Sequence, residues 1–278
     1  MDDHVSIITD STADIPPEIA RQNKITIVPV YVRFGEHVYR DGVDLTPAQF
    51  YEKLRVSNAL PSTSQPSPED FSRAFTEAAQ YSSSIVSIHI SSKISGTYNS
   101  ALLAKRLLPI KIPIEVIDSK LNSAGMALAV LTAARSSREG KDIHNIVADT
   151  LEAISQIGMF GMFSTLKYLA KSGRVNRAIA IAGNFLNVKP LLTFHDGEVV
   201  RAGFVRSLPQ GINRIISFVE AKKPVSELMI VHSDITVQAE ELRKSLTKYV
   251  EANQIIVGQL GAALGTHGGP GVLLVAVR

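Results

Sequence analysis

Three polar stretches of this chain carry residues able to hold or attack a small ligand. They are Ser62-Thr63-Ser64-Gln65 within "PSTSQPS", Ser95-Gly96-Thr97 within "SSKISGTYNSA", and His267 within "GTHGGPG" at residues 265–271. The first is uncharged and rich in hydroxyls. The second opens an amphipathic helix, where free N–H groups and the positive end of the dipole suit an anion, although serine at such a place is more often an ordinary cap. In the third, glycines permit close backbone approach beside an imidazole; a lone loop histidine is usually exposed and idle. Hydroxyls, backbone N–H groups and one imidazole, with no evident acid or cation to neutralise a ligand, favour a single carboxylate. A polyphosphate would recruit Lys, Arg and Mg²⁺.

Other chemistries leave no trace in the letters. There is no GxxxxGK[ST], no strand–GxGxxG–helix, no GxSxG and no HExxH, which removes the P-loop, Rossmann, nucleophile-elbow and zincin patterns. The chain has no cysteine, so thiolate catalysis and Cys-based zinc sites are excluded. A serine-type esterase or acyl transferase using Ser95 and His267 stays open as the alternative, without a clear acid to orient the imidazole.

The elements that must position these residues read as α/β. Runs such as "VSIIT", "ITIVPVYVRF", "SSIVSIHIS" and "IEVID" are spaced by helical patterns in "TPAQFYEKLR", "SPEDFSRAFTEAAQY" and "SGTYNSALLAKRLL", which predicts βαβ crossovers and a mostly parallel sheet. A helix pair over about 120–138 and 142–157 is expected to cover that sheet or bridge to the second half. After residue 160, "RAIAIAGNFLNVKPLLTFHDGEVVRAGFVR" predicts two or three strands with a turn at "HDGE". Helices over 208–222 and 235–252 and strands at "ELMIVHS", "QIIVGQL" and "GVLLVAVR" complete a mixed α/β layer. "IITDST", "EVIDSK" and "IVHSD" each end a strand in Asp and Ser. Helix capping is the plainer reading; at the carboxyl edge of a parallel sheet, Asp10, Ser11, Asp118 and Ser119 would alternatively line a ligand crevice.

Charge divides the chain. Residues 1–159 carry 15 Lys and Arg against 18 Asp and Glu, and residues 160–278 carry 14 against 8, which suggests an N-terminal and a C-terminal α/β domain with those bounds. The net charge is +3 and the pI is near 9.0, yet no basic run exceeds two residues, so nucleic acid is not expected as a partner. No apolar run reaches the roughly 18 residues of a membrane span, and the acidic opening "MDDHVSIITD" lacks the basic start of a signal peptide. A cytoplasmic location is the expectation.

In order and across nearly all 278 residues, "ITDSTADIP", "PSTSQPS", "SGTYNSA", "VIDS", "YLAKSGRV", "KPLL" and "HGGPG" together resemble the DegV family of bacterial fatty-acid-binding proteins. The resemblance implies a two-domain DegV-like fold with no catalytic activity of its own and no cofactor beyond a bound long-chain fatty acid. It implies that the carboxylate is presented to a fatty-acid kinase, which makes an acyl phosphate for phospholipid synthesis, and transient membrane-surface contact would serve lipid exchange. Thr63, Ser95 and His267 would bind the carboxylate, with Ser64 and Gly96 beside them. Arg174 of "KSGRV" would meet the kinase, with Arg206 on the same basic surface. The chain reads Lys171-Ser172-Gly173 where the family often has "KGG".

Burying a tail of about 14 methylenes at about 0.8 kcal/mol each yields on the order of 11 kcal/mol before ordering costs. An uncharged head-group loop would hold the carboxylate without a salt bridge and leave an oxygen nucleophilic. "GMFGMFSTLKYL" and "IAIAGNFL" are the stretches that would line a tail tunnel, with core packing the plainer reading of each.

Overall fold

The computed structural model describes residues 4–57, 59–109, 111–174 and 188–278. The stretch "IAIAGNFL" lies outside them.

Alternation of β-branched and helical segments builds a parallel four-stranded sheet from β1 (Val5–Asp10), β2 (Ile25–Val28), β6 (Ser84–His89) and β7 (Ile114–Asp118), in the order β2-β1-β6-β7. The run "ITIVPVYVRF", expected as one strand, is two. Pro29 has no N–H to give a ladder, so pairing stops at Val28 and resumes in β3 (Tyr31–Phe34), in another sheet. That small antiparallel sheet, ordered β4-β3-β5, adds β4 (His37–Arg40) and β5 (Ser62–Ser64). Part of the hydroxyl-rich stretch is therefore a strand, with Thr63 opposite Val32.

A mixed six-stranded sheet follows, ordered β10-β9-β8-β13-β11-β12. Its members are β8 (Gly158–Met162), β9 (Lys189–His195), β10 (Glu198–Val205), β11 (Leu228–His232), β12 (Ile255–Gln259) and β13 (Leu273–Val277). The turn at "HDGE" joins β9 to β10 as expected. A division between residues 159 and 160 passes through β8.

The helices are α1 (Pro17–Gln22), α2 (Pro47–Val56), α3 (Pro68–Ala78), α4 (Thr97–Leu107), α5 (Ser123–Arg138), α6 (Ile143–Gln156), α7 (Lys167–Ser172), α8 (Leu208–Ala221), α9 (Thr236–Leu246) and α10 (Ala262–Gly268). Helix α9 stops at Leu246, short of the expected 252. Capping boxes at Thr46/Gln49 and Ser67/Asp70, each with proline at the first helical position, start α2 and α3 where the sequence signals them.

Helix α5 is the keystone of the layering. Its small residues are buried nearly throughout, and one core cluster joins it to Val5, Ile7 and Ile88 of the parallel sheet and to Met229, Val231 and Leu274 of the mixed sheet. It therefore bridges the two sheets. Phe71 and Phe75 of α3 close the outer face of the first sheet, and Ile215 of α8 and Leu242 of α9 close that of the second. Among the described residues no helix is long and apolar enough to cross a membrane.

Candidate functional site

In the parallel sheet the chain leaves β1 toward β2 on one side, and β6 leads to β7 on the other, so the topological switch point lies between β1 and β6. Ligands of open α/β sheets bind beyond the carboxyl ends of such strands. Here Thr12, just after β1, and Ile90, Ser92 and Ser95, just after β6, line a polar cleft of about 1000 Å³.

The strand-end residues expected at this crevice are turned inward. Asp10 is fully buried, accepting from Thr12 N (3.0 Å), the Thr12 hydroxyl, His89 Nδ1–H (3.0 Å) and Ile90 N (3.2 Å). Ser11 Oγ accepts from Val30 N. Asp118 accepts from Ser92 and Lys120, while Ser119 closes a turn onto Leu121. All four are absent from the cleft wall. The capping reading holds for Asp10, which caps the short turn after β1; Asp118 and Ser119 satisfy loop groups instead, and the next helix starts after Asn122 without a side-chain cap.

The opposite wall comes from β5, α7, β10 and α10. Strand alternation turns Thr63 toward α10, where its Oγ1 lies 2.9 Å from His267 Nε2. His267 is not on a loop, as its glycine-rich surroundings suggested; it lies in the last turn of the short helix α10. That helix is anchored at its start by two carboxyls from the first half of the chain. Asp14 accepts from Gly261 N (2.8 Å) and Asp41 from Ala262 N (2.9 Å). Burial pushes both acids up, Asp14 well above the usual carboxylate range and Asp41 to about 6.

Burial, followed by the nearby Arg174 charge, depresses His267 to about 4, so its ring is neutral near pH 7. Its Nδ1 finds no hydrogen-bond partner among the described residues. A buried orphan N–H costs more than an orphan lone pair, which favours the tautomer with hydrogen on Nε2. Nε2–H then donates to Thr63 Oγ1, leaving the threonine hydrogen free to point at an anion.

Ser95 also lines the cleft, its Oγ 2.9 Å from Thr97 Oγ1. No Ser95–His267 hydrogen bond forms, so the geometry does not supply the pairing that the esterase alternative requires. Gly96 caps α4 without a side chain, and a Cβ there would lie 2.1 Å from Gln65 Oε1. Gln65 occupies that space and its Nε2 donates to Ser100 Oγ (3.1 Å). Ser64, exposed, borders the same cleft.

Gln65 lies in the same motif as Thr63, and the signal for its place is the glycine 31 positions later, legible only in three dimensions. The expectation of a site without charge is corrected, since Lys93, Arg174 and Glu198 stand in the cleft wall. Arg174 was expected on a partner-facing surface and is on that wall, its guanidinium donating to Ser172 O. Arg206 does not line the cleft; it lies past the end of β10 opposite Glu198, with its N–H donating to Gln210 Oε1.

Beneath the cleft lies an apolar cavity of about 70 Å³ walled by Met159, Phe160, Phe163, Phe194, Leu264 and Leu274 among others. His267, Asn122, Leu169, Val199 and Leu264 border both spaces. "GMFGMFSTLKYL" thus divides its labour by strand alternation: Phe160 and Met162 pack in the core on one face of β8, while Met159 and Phe163 face the cavity on the other.

A family model described as "Uncharacterised protein, DegV family" matches residues 4–278. The chain belongs to the DegV family. A DegV domain-containing protein of Caldanaerobacter subterraneus is 35% identical over 269 residues, covering 96% of this chain and 95% of the relative. Among solved structures, a fatty-acid-binding DegV family protein from Thermus thermophilus superposes with a TM-score of 0.90 at 32% identity, covering 99% of both chains. DegV of Bacillus subtilis, a fatty-acid-binding protein, does so with 0.90 at 30% identity, covering 99% of this chain and 98% of that one. The expected DegV-like α/β architecture is therefore the observed one.

Proposed function

We propose that this DegV chain binds a long-chain fatty acid, with its carboxylate at Thr63 and His267 and its tail in the apolar cavity below. The observation that carries the reading is the Thr63–His267 hydrogen bond at the place where the polar cleft meets the apolar cavity. A neutral imidazole fixing a threonine hydroxyl offers an oriented donor without a buried cation. Ser64, Ser95 and the Gly96 end of α4 complete the head-group side. The solved relatives named for fatty-acid binding support the ligand class.

Ligand pockets commonly enclose about 300 Å³ or more, against the 70 Å³ of this cavity. A long tail therefore requires side chains such as Met159 and Phe163 to turn aside, which an unbranched methionine does at low cost.

We further propose that the ligand lies between the two halves of the chain, which meet within β8, and that the open cleft lets a cytoplasmic fatty-acid kinase reach the carboxylate and form an acyl phosphate for phospholipid synthesis. In this reading the chain performs no chemistry itself. Arg174, on the cleft wall, would meet the incoming phosphoryl donor or the kinase; Arg206 would contribute to a more distant part of that surface. Transient contact with a membrane would load or unload the acid.

Native mass spectrometry of the purified chain, followed by denaturing extraction, is the direct test. The expected result is a mass adduct that extracts as a long-chain fatty acid. Failure of the purified chain to carry or take up any fatty acid would sink the proposal. For the kinase step, Arg174→Glu should slow acyl-phosphate formation more than it weakens fatty-acid binding.

A further inference from the structure

The β9–β10 hairpin forms much of the wall between the apolar cavity and the cleft, with Phe194 facing the cavity and Val199 bordering both. Its pairing with β8 covers only Leu191, Leu192 and Thr193, and β10 is the edge strand of the sheet. Among the described residues, no strand lies beside the hairpin beyond Thr193 except its own return.

What holds that end is a set of contacts to the loops after β6 and β7. Asp196 Oδ2 accepts from Lys93 Nζ at 2.9 Å, and Lys120 Nζ lies 3.5 Å from Oδ1. Ser91 Oγ donates to Gly197 O at 2.7 Å. The turn is built for this approach, since Asp196 and Gly197 both have positive φ, 46° and 81°, and a Cβ on residue 197 would meet Ser91 Oγ at 2.7 Å. The lysines hold the Asp196 carboxyl below its ordinary range, Lys93 first. All three charged side chains are substantially exposed, at 43–61%. Ion pairs of that kind are weak and are screened by salt. The ion-pair part of this fastening can thus be undone without unfolding the sheet, while the buried hydrogen bond from Ser91 to Gly197 stays in place.

We propose that the 194–199 tip is the portal of the apolar cavity, a strap latched by Asp196 to Lys93 and Lys120, and that acyl ligands exchange when this latch opens. The inference rests on the fatty-acid reading above and adds the route and its control. The latch lies across the path and touches no ligand atom, so loosening it speeds passage in both directions.

The experiment is stopped-flow exchange of a pyrene-labelled long-chain fatty acid on the full chain, wild type and Asp196→Asn, at low and high salt. Asparagine tolerates the left-handed backbone of this turn. In Asp196→Asn, association and dissociation rates should both rise about threefold, with affinity unchanged within about twofold. Salt should accelerate the wild type toward the variant and leave the variant's rates flat. Backbone amides of 194–199 should exchange with deuterium faster in Asp196→Asn, at equal thermal stability. Rates insensitive to the substitution, a change in dissociation alone, or unaltered amide exchange would overturn the portal while leaving fatty-acid binding intact. A wild-type chain that binds no fatty acid overturns the functional reading and the portal together.

Discussion

Two histidines of this chain sit in superficially similar networks and have opposite uses. His89 donates from Nδ1 to Asp10 (3.0 Å) and meets Ser87 Oγ with Nε2 (2.6 Å), the serine–histidine–aspartate connectivity of a hydrolase. Yet Ser87, His89 and Asp10 are all wholly buried, with Phe71 packed edge-on against the ring at 4.9 Å, so no substrate reaches them. Among the described residues His267 has one hydrogen-bond partner, Thr63, and its other ring nitrogen has none, and it stands where two cavities meet. Completeness of hydrogen bonding marks the structural histidine; incompleteness beside open space marks the one proposed to meet the ligand. The sealed network still serves the site at one remove, because Asp10 also holds Thr12 and Ile90 N at the cleft floor.

The contrast is broken most severely at His89. Replacing it with alanine removes one of the four donors to Asp10, leaves the buried Ser87 hydroxyl without its ring partner and opens a cavity beside Phe71, and should cost about 3–5 kcal/mol of stability, read by urea denaturation. A cost below about 1 kcal/mol would show that the network is dispensable and the contrast empty.

Acid titration sharpens it next. The His267 value, depressed from 6.5 to about 4, means that its contribution is fully present above about pH 6.5 and is lost as pH falls toward 4. Asp41, raised from 3.8 to about 6, acts with the opposite sign: its contribution is present below about pH 4 and lost as pH rises through 6. The two offset each other across that window. Removing one side with His267→Gln should leave stability falling as pH rises from 4 to 6.5, a departure from wild type of about 3 kcal/mol in pH-dependent denaturation. Parallel curves for the two proteins would refute the depressed imidazole.

Thr63→Val keeps the shape and removes the hydroxyl. Fatty-acid affinity, measured by calorimetry, should drop about tenfold, while stability should change far less than in the His89 variant. Smallest is Gly96→Ala, whose Cβ must push Gln65 off Ser100; a weakening of about two- to threefold is expected, and no change would mean that Gln65 has room to shift.

Much of the fold was legible because its elements announce themselves locally. Ser67-Pro68-Glu69-Asp70 contains a cap, an N1 proline and an N3 acid in four letters, and α3 begins there. The turn at Asp196-Gly197 was equally readable. The split at Pro29 was missed although the residue was in view, since β-branched residues continue on both sides and only sheet partners reveal two strands. The site was legible in part: Thr63, Ser64, Ser95, Gly96 and His267 all border the cleft, whereas Lys93 and Arg174 lie within quoted motifs but reach the cleft wall by loop paths that the motifs do not encode. Asp10 and Asp118 were read at the right strand ends, but whether a carboxylate faces ligand or backbone depends on which N–H groups the next turn brings near.

By itself the sequence determined the alternation of strands and helices, the starts of capped helices and the kinds of donor available to a ligand, because these depend on neighbours within a few residues. Only the tertiary structure decided that Thr63 meets His267, 204 positions away, that Asp14 and Asp41 anchor the helix carrying that histidine, and that His89 is sealed while His267 is not. Burial and cross-chain distance are properties of how layers pack around α5, and packing is settled by the whole chain at once.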